Sequence, residues 1–89
     1  MNVSNDFILR SIAGDNLLIP VGEAALSVKG LIALSESGLL LYEQLKTGCS
    51  RQELVSRLLS EYDVSETEAT ADTDAFLDQL RKLNMLVEE

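Results

Sequence analysis

The chain has 89 residues, of which 46% are hydrophobic, and carries a formal net charge of −8 from 15 acidic and 7 basic side chains. A chain of this size is expected to fold as one domain, residues 1–89, around a modest core. The acidic balance and the scattered basic residues argue against binding to nucleic acid or to an anionic membrane surface. The absence of histidine and the single cysteine exclude zinc-ligand sets and histidine-assisted nucleophiles.

No segment suggests targeting or a membrane. No run approaches the roughly 20 consecutive apolar residues of a membrane span. Residues 1–6 lack the basic and apolar regions of a signal peptide. We therefore expect a cytoplasmic protein.

Two apolar runs near the N-terminus predict a β-hairpin. Residues 7–12 are rich in β-forming side chains, and residues 17–21 form a second apolar run. The Ala-Gly-Asp-Asn segment at residues 13–16 supplies turn-forming side chains between them. Pro20 lacks a backbone donor and belongs at a strand end or an edge. The following residues, 22–29, are compatible with a loop, a helical turn or the beginning of a third strand.

A third strand is predicted directly before a helix. Residues 31–34 form an uninterrupted apolar run between Gly30 and Ser35, which is typical of a short buried strand. Ser35 is a favourable N-cap residue. Glu36 then places a negative charge in the first turn, where the helix dipole favours it.

Apolar side chains at helical spacing predict three helices, over residues 36–46, 51–62 and 66–83. Gly48 ends the first. Ser50 with Glu53 forms a capping box for the second, as does Ser65 with Glu68 for the third. Strands followed by helices predict an α+β fold.

The sequence contains no recognisable catalytic or phosphate-binding motif. Cys49 lies at a helix start, where the dipole favours a thiolate, but no base accompanies it. Asp72, Asp74 and Asp78 fall along one helix beside Arg81, as expected for a solvated face with ion pairs. We therefore expect no enzymatic activity, no cofactor and no metal site.

The order of several short motifs resembles the PqqD-like family over nearly the whole chain. The matching segments are Phe7-x-Leu9-Arg10, Ile12-Ala13-Gly14, Leu18-Ile19-Pro20-Val21-Gly22-Glu23-Ala24, Gly30-Leu31-Ile32-x-Leu34-x-Glu36-Ser37-Gly38, Tyr42-Glu43-x-Leu45, Gly48, Glu61-Tyr62-Asp63-Val64 and Asp72-x-x-x-Phe76-Leu77-x-x-Leu80. The Leu34-x-Glu36-Ser37-Gly38 form resembles the broad peptide-chaperone branch more than the members of the pyrroloquinoline quinone pathway.

The resemblance implies a RiPP precursor recognition element, also called a peptide-modification chaperone. It implies a winged-helix-like fold of three strands followed by three helices. It also implies binding of the leader segment of a ribosomally made precursor peptide, and presentation of that peptide to a modifying enzyme. That enzyme is a radical S-adenosylmethionine (SAM) protein in several members and another maturase in others. The acidic surface suggests electrostatic steering of a basic stretch of a partner.

In the family the leader adds as a strand to the edge of the third strand, beside the third helix. For this chain, the expected peptide-binding residues on and before that strand are Lys29, Gly30, Leu31, Ile32, Ala33 and Leu34. Those on the third predicted helix are Asp72, Phe76, Gln79, Leu80 and Leu83, which lie on or beside one flank of its apolar stripe. Plain core packing is the competing interpretation for the apolar members of the helical set.

Three alternative functions make different demands on the sequence. A winged-helix nucleic-acid binder needs basic and amide side chains on its recognition helix, whereas residues 66–80 are acidic. An acyl carrier protein needs an Asp-Ser-Leu motif at a helix start, which is absent. A noncatalytic homodimerising adaptor that uses the same strand edge stays open, and so does the choice between monomer and homodimer.

Overall fold

A computed structural model describes residues 1–28 and 30–88. Within them the strands are β1 (Asn2–Val3), β2 (Phe7–Ile12), β3 (Asp15–Pro20), β4 (Ile32–Leu34) and β5 (Leu86–Val87). The helices are α1 (Ala24–Ser27), α2 (Glu36–Lys46), α3 (Arg51–Glu61) and α4 (Glu66–Lys82). The predicted α+β fold is confirmed. The sequence did not predict the short strands β1 and β5. For the segment after β3, the alternatives were a loop, a helical turn or the beginning of a third strand, and the structure shows the helical turn, α1.

The hairpin of β2 and β3 closes with a turn of two residues. Ala13 and Gly14 both have positive φ, 52° and 87°, which is the backbone of the turns that match the twist of a hairpin. The predicted turn over residues 13–16 is wrong in length, because Asp15 and Asn16 already pair with β2.

The three long helices each begin at a serine whose hydroxyl accepts a hydrogen bond from the backbone N–H three residues later. These serines are Ser35, Ser50 and Ser65. The Glu53 carboxylate accepts from the Ser50 N–H at 3.1 Å, which completes the predicted capping box. At α4 the Glu68 carboxylate accepts a hydrogen bond from the Ser65 hydroxyl at 3.4 Å, and not from the Ser65 backbone N–H as a capping box requires. The predicted helix starts are therefore confirmed, and only the first capping box is complete.

The end of α4 returns the chain to the N-terminus. Asn84 adopts a left-handed backbone with φ 56°. Its N–H donates to the Arg81 carbonyl at 3.1 Å, and the Met85 N–H donates to the Leu80 carbonyl at 2.9 Å. This pair of bonds is a Schellman motif, which satisfies the last carbonyls of the helix. The chain then enters β5, which pairs with β1 in a separate two-stranded sheet.

Within the part of the chain that the structure describes, a cluster of buried apolar side chains joins the sheet to the helices. Its members are Val3, Phe7, Leu18, Leu41, Tyr42, Leu45, Cys49, Leu54, Val55, Leu58, Ala69, Phe76, Leu77, Leu80 and Met85. Thr73 of α4 is fully buried beside them. Burial of this apolar surface is the main stabilising contribution to the fold.

Candidate functional site

The strand β4 forms one edge of a three-stranded sheet with the order β2-β3-β4. It pairs antiparallel with β3 in a register that joins Leu18 to Ile32 and Asn16 to Leu34. Among the described residues, no strand pairs with its other side. The backbone groups on that side can therefore accept an additional extended chain. Lys29, which was expected to contribute, lies outside the described residues.

The hydrogen bonds of the hairpin show which backbone groups of β3 point toward β4. The Val21 N–H donates to the Asp6 carbonyl at 2.8 Å, one step beyond the Phe7–Pro20 pair in the same register. Asp6 and Val21 therefore occupy a hydrogen-bonded position, and such positions alternate along an antiparallel ladder. Leu18 lies three residues before Val21, so its N–H and carbonyl point away from β2, toward β4.

The same alternation identifies the open groups of β4. Because Leu18 faces β4 and lies opposite Ile32, the N–H and carbonyl of Ile32 bond to β3. The N–H and carbonyl of Leu34, which lies opposite Asn16, also bond to β3. The intervening residue, Ala33, directs its N–H and carbonyl to the open edge. Ala33 is thus the residue of β4 that offers backbone hydrogen bonds to an incoming strand.

The side chains of β4 alternate between two environments. Ile32 and Leu34 are half-buried and pack against the core, whereas Ala33 is exposed. Leu31, directly before the strand, is 56% exposed. The predicted buried strand is therefore wrong in its burial, because the helices cover only one face of it. An incoming strand would meet apolar side chains on the helix side of this edge.

The start of α2 lies close to α4 beside β4, and Gly38 is the residue of α2 at this contact. A Cβ placed on Gly38 would lie 3.5 Å from Phe76 Cε1 and 3.7 Å from Leu34 Cδ2. A larger side chain would push Phe76 away. Gly38 thus brings the ends of β4 and α2 against the middle of α4.

A groove runs between α2 and α4 at this contact, with a volume of about 270 Å³. We call it the helix groove, and it is lined by Ser35, Ser37, Gly38, Leu41, Asp72, Ala75, Phe76 and Gln79. Three of the expected residues of α4 therefore lie together here, namely Asp72, Phe76 and Gln79. The α2 residues were not expected, because a pattern on one helix does not show which helix faces it.

The other two expected residues of α4 lie elsewhere. Leu80 is only 1% exposed and belongs to the core, so it supports the groove from behind instead of forming its surface. Leu83 is half-buried and lines a separate cavity of about 260 Å³ with Phe7, Ala24 and Asn84. The α4 residues that were predicted to form one groove wall thus line two separate depressions, the helix groove and the cavity at Leu83.

A second depression continues from the helix groove past the end of β4. We call it the Tyr62 cavity; it has a volume of about 440 Å³ and is lined by Ser35, Glu36, Ser37, Leu58, Tyr62, Val64 and Asp72. It shares Ser35, Ser37 and Asp72 with the helix groove. The Glu61-Tyr62-Asp63-Val64 segment, which resembles the PqqD-like family, contributes Tyr62 and Val64 to this cavity. The expected peptide-binding residues did not include them.

Among the described residues, those that form arginine ion pairs do not line either depression. Arg51 binds Asp74 through two hydrogen bonds of 2.6 and 2.8 Å, which hold the pKa of that carboxyl below its usual range. Arg81 bridges Asp78 and Glu88. Within residues 1–28 and 30–88, no basic side chain forms an ion pair with Glu36 or Asp72. Glu36 and Asp72, which are both exposed, therefore place negative charge at the Tyr62 cavity.

Cys49 is 8% exposed in the core. Burial and then the Glu53 carboxylate raise the pKa of its thiol, so the expected dipole effect of a helix start does not prevail. The described residues hold no group of three or more His, Cys, Asp or Glu side chains placed to bind a metal ion. No helix among them is long and apolar enough to cross a membrane.

Comparisons with known proteins place these features in context. Residues 22–86 match the protein family described as coenzyme PQQ synthesis protein D (PqqD). No curated protein matches the chain.

Two solved structures share the fold. TbiB1 in complex with the TbiA(beta) leader peptide is 21% identical, with a TM-score of 0.79 over 100% of this chain and 98% of that one. The lasso peptide synthetase B1 complexed with the leader peptide is also 21% identical, with a TM-score of 0.77 over 98% of this chain and 96% of that one.

Proposed function

We propose that this chain, which belongs to the PqqD family, binds the leader segment of a ribosomally synthesised precursor peptide and presents it to a modifying enzyme. The observation that carries the proposal is the open edge of β4 directly beside the helix groove. Such an edge gives an extended peptide backbone hydrogen bonds, and neighbouring pockets give it specificity. Two solved structures that share this fold are leader-peptide complexes, which supports the assignment.

In this proposal the leader adds as a strand along residues 30–34, and Ala33 exchanges backbone hydrogen bonds with it. A net contribution of about 0.5–1.5 kcal/mol per hydrogen bond is too small for useful affinity from Ala33 alone. Side chains of the leader must therefore enter the depressions beside β4. Phe76 and Gln79 receive them in the helix groove, and Leu80 holds the groove wall in place. Leu83 receives a further side chain in its separate cavity.

The module acts by binding and not by chemistry. Its role is to raise the local concentration of the precursor at the enzyme, since linking two binding events makes the second one intramolecular. We propose that residues 1–89 form one such module, that it works in the cytoplasm, and that its partner enzyme is a radical SAM protein.

Isothermal titration calorimetry with a candidate precursor peptide, chosen from the small open reading frames near this gene, tests the proposal. The leader half is expected to saturate the protein at micromolar concentration or below, and the core half to produce no binding heat, because the enzyme acts on the core while this module holds the leader. Equal binding of both halves, or of neither, would contradict the proposal. If neither binds and light scattering shows a dimer, the homodimerising adaptor becomes the better account.

A further inference from the structure

The Tyr62 cavity begins where β4 ends. β4 ends at Leu34, and the next three residues, Ser35, Glu36 and Ser37, all line the cavity. A peptide strand advances about 3.3 Å per residue. A peptide paired with β4 therefore passes close to the cavity just beyond the paired segment.

The cavity combines three features that fit one kind of side chain. Leu58 and Val64 form an apolar wall, and the Tyr62 ring is 37% exposed beside them. Glu36 and Asp72 contribute carboxylates that have no basic partner among the described residues. Lysine and arginine carry a long apolar stem and a cationic head, and the head binds both carboxylates and aromatic faces.

The helix dipole does not reverse this preference. The N-terminus of α2 lies at the cavity and would by itself favour an anion. However, the Ser35 hydroxyl already accepts the Gly38 N–H at 3.1 Å, and Glu36 in the first turn opposes the remaining positive end. The two carboxylates carry more negative charge than the partial positive charge that is left at the N-terminus of α2. The cavity therefore favours a cation.

We propose that the Tyr62 cavity binds a lysine or arginine side chain of the precursor peptide, located just outside the segment that pairs with β4. This inference rests on the proposed leader-binding function and adds a charge requirement to it. The contact is partly exposed, and removal of the basic side chain is expected to lower affinity about tenfold, as for a few exposed ionic and cation–π contacts together.

The test is a selection from a library of random 15-residue peptides displayed on phage, carried out on the wild-type protein and on the Glu36→Gln/Asp72→Asn variant. A matched control is Glu43→Gln/Glu66→Gln, which makes the same change in net charge at exposed residues outside the cavity. Selected peptides are re-tested against Ala33→Pro, so that only those that require the β4 edge are counted.

Among the peptides that require the β4 edge, lysine or arginine is expected at one fixed spacing from the apolar segment. Replacing that residue by glutamine should weaken binding about tenfold to the wild type and to the control variant, and leave binding to Glu36→Gln/Asp72→Asn unchanged. Peptides that require the edge but show no basic preference would overturn the cavity proposal alone. A selection that yields no edge-dependent peptide would overturn the proposed function and this inference together.

Discussion

Replacement of Ala33 by proline is expected to lower the affinity for the leader peptide about tenfold or more while the protein stays folded. Proline removes the N–H that Ala33 directs to the open edge, and its ring occupies the place of the incoming backbone. The fold should tolerate the change, because the ladder to β3 uses Ile32 and Leu34 and proline is accepted on edge strands. Calorimetry with the leader peptide gives the affinity, and circular dichroism verifies the fold.

Three variants serve as controls for this result. Ala33→Ser keeps the N–H and should bind as the wild type does. Lys46→Ala, on α2 away from β4, should change little. Ile32→Pro removes a donor to β3 and should lower the stability of the sheet as well as binding. Wild-type affinity in Ala33→Pro would show that the leader does not pair with β4.

Replacement of Leu80 by alanine is expected to lower the free energy of unfolding by about 2–5 kcal/mol. Leu80 is 1% exposed in the core, so the substitution removes buried apolar contacts and leaves a cavity. The affinity of the folded protein for the leader should change much less, because Leu80 does not line the groove. Urea unfolding followed by circular dichroism measures the stability, and calorimetry below the unfolding transition measures the affinity.

Gln79→Ala is the matched comparison, one residue away on the same helix. Gln79 is exposed and lines the helix groove, so its replacement should change stability by less than about 0.5 kcal/mol and weaken peptide binding. The opposite pattern, with stability lost at Gln79 and affinity lost at Leu80, would mean that the groove lies on another face of α4.

The sequence was most informative where the determinants of structure are local. A serine N-cap marks the start of each long helix, since the cap depends on residues within one turn. The three caps are Ser35, Ser50 and Ser65. The end of α4 is similarly signalled by Asn84, which tolerates a left-handed backbone. The boundaries of the three long helices follow from such signals within one residue.

The sequence was least informative where distant segments meet. The pairing of β1 with β5 joins residues 2–3 to residues 86–87, and two-residue strands are too short for an alternating pattern. Thr73 is buried although it is polar, because its position on α4 and not its hydropathy decides its environment. The spacing of apolar residues along the sequence therefore predicts neither the pairing of β1 with β5 nor the burial of Thr73.

In the candidate site too, the sequence predicted the features that lie within one element and missed those that depend on contacts between elements. The edge strand and the helical flank with Phe76 were predicted from patterns within single elements. Which residue of the edge presents its N–H was not predicted, because this depends on the register of three strands together, and the ladder indicates Ala33. The α2 side of the groove was also missed, since Gly38 matters only through its contact with α4.

An amide-shift NMR titration with the leader half of the neighbouring precursor peptide tests the central claim most directly. The account predicts that the largest shifts fall at residues 30–34 and 72–83, with the Ala33 amide moving downfield as it gains a hydrogen bond. Residues of the α3 surface that face away from the site, such as Gln52 and Ser56, should not move. Saturable shifts confined to that remote surface, with residues 30–34 unchanged, would contradict the claim that β4 receives the peptide.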